Sequence, residues 1–139
     1  MINNQKKLVM EIKLKETTHL LDAARAKAEE LGIAVNIAIL DTAGHLKAFE
    51  RMDDAFLGSI DVALQKAKTA MLFRMNSEDV GKFLEPSAGA YGLINTSGGL
   101  VGFRGGIPIK KENAPVGYIG VSGGSPDQDF EVAKAGCQL

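Results

Sequence analysis

The stretch N-T-S-G-G-L-V-G-F-R-G-G-I-P-I-K-K-E-N-A-P-V-G-Y-I-G-V-S-G-G, Asn95–Gly124, decides how the chain folds. Twelve of the sixteen glycines lie between Gly81 and Gly124. The same region carries three strand-type runs, Leu100–Phe103, Ile107–Ile109 and Val116–Val121, and the polar turn Lys110–Pro115 joins the last two. Glycine inside a strand marks a bulge, a tight bend or close approach by a ligand or another backbone. Two readings stand side by side: one wall of a ligand site, or tight turns with close sheet packing.

Upstream, Ala34–Leu40 alternates as a buried strand, and Asp41–Gly44 is a turn whose Asp bonds locally and whose Gly accepts positive φ. His45–Met52 returns as the second arm of an antiparallel hairpin. Helices are predicted over Leu14–Leu31, with a stripe Leu14, Thr17, Leu21, Ala24, Ala28 and Leu31 ended by Gly32, and over Gly58–Arg74, capped by Ser59. On that second helix the inward stripe is Ile60, Ala63, Leu64, Ala67, Ala70 and Met71, with Asp61, Gln65 and Lys68 on the wet face. A short helix capped by Ser77 follows, and Ser87–Thr96 reads as irregular. The last helix opens on a capping box, Ser125 with Gln128, with Pro126 at its first position. The sum is one α+β domain over residues 1–139, with a central five-stranded antiparallel sheet flanked by helices.

Composition narrows the function. The formal net charge is −1, there is no Trp, and Lys and Arg are dispersed, so no nucleic-acid partner is expected. No apolar run is long enough to span a bilayer, and Met1–Lys13 lacks the continuous apolar core of a secretory signal. With Cys137 as the single cysteine, the expectation is a cytoplasmic protein without membrane partners.

Few motifs carry chemistry. The segment before the last helix, Ser122–Ser125, could cradle phosphate, but Asp127 and Asp129 in the first turn already complement the helix dipole and repel an anion. Cys137 reads as an inert thiol in apolar surroundings. The two histidines remain. His19 lies mid-helix beside Ala23 and Ala26, and His45 begins a strand. Either could ligate haem iron, since a neutral imidazole suits iron and one axial ligand suffices, although a surface histidine also explains each. Arg51, Lys47 and Arg104 could meet ligand carboxylates.

The ordered set Ala34–Ala55, Ala63–Ala70, Gly105–Ile109, Val116–Gly124 and the closing D-x-x-V-A-x-A-G of Asp129–Gly136 resembles the GlcG/HbpS-like family, which also includes the C-terminal domain of PduO-type proteins. The resemblance runs from about Leu14 to Gly136. It implies a profilin-like α/β sandwich, homo-oligomers, and in some members haem binding. Others accompany glycolate or diol metabolism. The leading expectation is therefore a small-molecule-binding protein for haem or a related tetrapyrrole. His19 and His45 are candidate iron ligands, Arg51 is a carboxylate partner, and Phe103, Gly105, Gly106 and Ile107 stand near the ligand or a subunit boundary, with Phe49 and Tyr118 as further apolar surface. Two alternatives stand beside it. One is an enzyme acting on a small hydroxy acid, aldehyde or diol-pathway metabolite through Asp41, His45, Glu50 and Asp53. The other is a non-catalytic oligomeric scaffold.

Overall fold

The structure is a computed structural model and describes residues 10–139; most of the segment on which the secretory-signal reading rests lies outside the described residues. In chain order the elements are α1 (Leu14–Leu31), β1 (Asn36–Leu40), β2 (Leu46–Arg51), α2 (Gly58–Phe73), α3 (Ser77–Phe83), β3 (Gly106–Lys111), β4 (Ala114–Ser122) and α4 (Pro126–Ala135). Two 3-10 turns, Pro86–Ala88 and Tyr91–Asn95, lie between α3 and β3, where irregular chain is expected. The strands form one antiparallel sheet in the order β2-β1-β4-β3.

The α+β class holds, but the described sheet has four strands, not five. Leu100–Phe103 has strand composition yet pairs with no strand. Its backbone groups find side chains instead: the Val101 N–H donates to Thr69 Oγ1 (3.0 Å), and the Phe103 carbonyl accepts from Ser77 Oγ (2.6 Å). Leu100 enters a second apolar cluster with Val80 and Leu84. Once these groups are satisfied, no ladder is needed. Ser77 is accordingly not a helix cap. It is buried, and its hydroxyl also accepts from the Gly106 N–H (2.9 Å). The cap position of α3 belongs to Asn76, and that of α2 to Leu57 rather than Ser59.

The glycine-rich strands are explained by α2. Ala38, Gly120 and Gly106 are cross-strand partners and form one smooth row over β1, β4 and β3. A Cβ added to Gly120 would strike the backbone of Ala63 and Ala67, and one added to Gly106 would strike the carbonyl of Lys66. Small residues on both sides let the helix lie almost backbone to backbone on the sheet. Of the two readings of the stretch, close packing accounts for these positions.

The other face buries the main core. Ile37, Ile39, Ile107, Ile109, Ile119 and Val121 pack against Leu20, Ala24 and Ala28 of α1 and Val132 and Ala133 of α4. The buried stripe of α1 is Thr17, Leu20, Ala24 and Ala28, so it is turned slightly from the expected one, and Leu14 is exposed. Gly32 ends α1 in the left-handed conformation (φ 70°), and Ser125 with Gln128 makes the expected capping box of α4.

Glu112 and Asn113 (φ 51° and 66°) form the turn between β3 and β4, both left-handed as a two-residue hairpin with right-twisted strands requires. A β-branched residue tolerates that region poorly. Asn113→Val is expected to lower stability by about 1–2 kcal/mol, and Asn113→Gly to leave it equal or higher, read from denaturant midpoints.

Candidate functional site

A surface hollow of about 580 Å³ lies beside α1 and is lined by Lys15, Glu16, His19, Lys110, Lys111, Glu112 and Leu139. Three elements build it. Helix α1 offers Lys15, Glu16 and His19 at three- and four-residue steps, which sets them on one face. The β3–β4 hairpin brings its three residues, and the chain beyond α4 brings Leu139. An ion pair between Glu16 and Lys111 ties the helix to the hairpin. Lys15 and Lys110 enter no ion pair among the described residues. The hollow thus presents one exposed imidazole, two uncommitted ammonium groups and an exposed leucine.

The Lys111 ammonium and the Lys13 N–H hold the Glu16 carboxyl below the usual range. A carboxyl depressed in the folded state contributes stability above its unfolded value of about 4.3 and loses it as pH falls through the folded one. Wild type is therefore expected to melt above Glu16→Gln at neutral pH, with the gap closing by about pH 3 in a series of thermal melts.

The other expected site residues do not join His19. His45 stands on the β1–β2 turn, 80% exposed, with its Nδ1 3.4 Å from Asp41 Oδ2. Burial pushes the Asp41 carboxyl up, but the N–H groups of His45 and Ala43 outweigh it and hold the group low. Asp41 thus serves the turn. Arg51 lines a separate hollow with Arg25, Glu29, Glu50, Met52 and Asp53, where Arg25 grips Glu50 through two bonds (2.6 and 2.8 Å). The acid–base candidates are therefore divided, Asp41 and His45 at one end of the hairpin and Glu50 and Asp53 at the other. Gly105, Gly106 and Ile107 are buried: the glycines lie under α2, and Ile107 lies in the core on the opposite face. Phe103 is 48% exposed, and Tyr118 is buried on the α2 side. Burial pushes the Cys137 thiol up, which keeps it in the unreactive form.

One buried group escaped the sequence reading. Lys66, on α2, is fully buried and donates to Asp129 Oδ2 (3.0 Å) and to the Val121 carbonyl (2.9 Å). Its ammonium also lies 4.8 Å from the centre of the Phe103 ring, so its three protons are accounted for. Asp129 takes a further bond from the Gly124 N–H (2.8 Å). That donor is among those a phosphate at Ser122–Ser125 would need. The pair joins α2, β4 and α4 across the end of the sheet. Its signal was present: Lys66 follows Ala63 by three residues and precedes Ala70 by four, on the buried stripe rather than the wet face.

Fold and site define a class: a three-layer α+β domain whose hollow beside α1 offers one imidazole and free cations rather than a clustered acid–base set. Among the described residues no group of three or more His, Cys, Asp or Glu could hold a metal ion by itself, and no helix is long and apolar enough to cross a membrane.

The sequence profile described as "Haem degrading protein HbpS-like" matches residues 12–138, and the chain belongs to that family. It is 34% identical over 132 residues to an uncharacterised 15.0 kDa protein of the dhaT-dhaS intergenic region of Citrobacter freundii, covering 94% of this chain and 93% of that one. It is 36% identical over 126 residues to the corrinoid adenosyltransferase PduO of Citrobacter freundii, with 90% of this chain covered but only 38% of PduO. Its structure is similar to the crystal structure of the PduOC:haem complex, with a TM-score of 0.87 and 30% identity, over 92% of this chain and 94% of that one.

Proposed function

We propose that this chain binds haem or a related tetrapyrrole in the hollow beside α1, with His19 as the iron ligand. The observation that carries the reading is the grouping of an exposed imidazole with Lys15, Lys110, Lys111 and Leu139 in one hollow. The residues fit the group: one neutral ring nitrogen for the iron, ammonium groups for propionates, and lysine stems with Leu139 as apolar surface. A bound haem would supply a redox-active iron, while the chain's own part is to ligate, orient and neutralise. The likeness to a domain crystallised with haem supports the reading. His45 is the weaker candidate, because it stands on a turn tip beside Asp41 and outside this hollow.

The reading includes a cytoplasmic setting, which the single reduced cysteine suits, and self-association, which the exposed Phe56 (70%) and Leu57 (68%) suit. The division of the acid–base candidates gives the enzyme alternative no such support.

Haem titration followed by absorbance is the test. Wild type and His45→Ala are expected to shift the Soret band with saturation at micromolar protein, and His19→Ala to lose the shift or bind at least about tenfold more weakly. No Soret shift in wild type, or loss in His45→Ala with retention in His19→Ala, would overturn the assignment.

A further inference from the structure

On the α2 side of the sheet, at the C-terminal end of that helix, lies a hollow of about 320 Å³ lined by Thr42, Met71, Arg74, Pro115 and Tyr118. Its wall includes the Tyr118 phenol. Tyr118 is 2% exposed, and among the described residues its hydroxyl has no hydrogen-bond partner. The second observation is independent. Arg74 ends α2 in the left-handed region (φ 55°), is exposed, and enters no ion pair among the described residues. Every other arginine except Arg51 is paired, Arg25 with Asp22 and Glu50, and Arg104 with Asp127 and Glu78. A guanidinium fork and a phenol beside an apolar floor of Met71 and Pro115 match a carboxylate with a short apolar tail.

We propose that this hollow is a binding site for a small monocarboxylate, held by Arg74 and by a hydrogen bond from Tyr118. It is distinct from the hollow beside α1. Two features oppose the anion and keep affinity modest. One is Glu11, whose carboxylate is engaged by the Thr42 N–H (3.0 Å) and hydroxyl. The other is the partial negative charge at the C-terminus of α2. Arg74 offsets both, and binding falls in the millimolar range, about what a few charge-assisted bonds support.

The test is a 15N-correlation NMR titration with sodium propionate, using propionamide as the neutral isostere. Propionate is expected to shift the amides of Thr42, Met71, Arg74 and Tyr118 with saturation, and propionamide to leave them unmoved. Arg74→Asn, which keeps a residue tolerant of the left-handed region, is expected to weaken binding about tenfold or more. Tyr118→Phe, which keeps the ring and removes only the hydroxyl, is expected to weaken it about fivefold. The proposal is overturned by equal shifts from the amide, by shifts that do not saturate, or by unchanged affinity in both variants. The titration uses no haem, so the outcome at this hollow is separate from that at His19.

Discussion

Asp129→Ala is expected to destabilise the fold by about 3–5 kcal/mol, among the largest effects open to a single substitution in this chain. The mutation leaves the Lys66 ammonium fully buried against the Val121 carbonyl and the Phe103 ring with no counter-charge. Burial pushes the Lys66 pKa down and the Asp129 pKa up, and each is pulled back by the other's charge. With Asp129 gone, only the burial effect remains on Lys66. A lysine depressed in the folded state makes the unfolded chain the better proton binder up to its ordinary value of about 10.4, so stability rises with pH there. The deficit of Asp129→Ala is therefore expected to narrow between neutral pH and about pH 10, as Lys66 folds in neutral form. Lys66→Met with Asp129→Leu removes both charges and is expected to recover most of the loss. Urea midpoints of wild type and the two variants decide the matter. A deficit in Asp129→Ala below about 1 kcal/mol, flat with pH, contradicts a buried pair.

Gly120→Ala is the second, with an expected cost of about 3 kcal/mol, the upper end of what overpacking produces. The substitution adds one methyl group to β4, but that methyl points at the backbone of α2, at the Ala63 carbonyl and the Ala67 N–H. A flexible neighbour could swing away, whereas a helix backbone moves only as a whole. The same helix also rests on Gly106 and carries Lys66 to Asp129, so lifting it disturbs the ion pair as well. Gly32→Ala, where added bulk meets open space and only the left-handed φ of 70° resists, is expected to cost about 1 kcal/mol. Thermal melts of the two variants should keep that order, and a Gly120→Ala protein as stable as wild type would remove the explanation of the glycine-rich strands.

The regular elements were legible because their periodicity is local. Val35, Ile37 and Ile39 alternate, α1 repeats at helical steps, and the chemistry of Gly32 and Ser125 marks two helix ends. Leu100–Phe103 was not legible, since composition shows what a segment prefers and not where its hydrogen bonds go. Thr69 and Ser77, from two different helices, claim them. Lys66 was hidden by charge: a lysine at buried spacing looks like an interruption of the stripe until a carboxylate 63 residues later, Asp129, is brought to it. The site followed the same rule. His19 stood out as a residue type, but Lys110, Lys111 and Leu139 join it only once the hairpin and the chain end pack beside α1. His45, Arg51, Gly105, Gly106 and Ile107 share sequence features with ligand sites, yet the fold sends them to a turn, an edge hollow and two buried layers.

The central claim is the assignment of the hollow beside α1, and a crystal structure of the protein grown with haem tests it most directly. The account predicts iron bonded to a ring nitrogen of His19, with the propionates toward Lys15 and Lys110. Haem ligated by His45, or held in any other hollow, would contradict it.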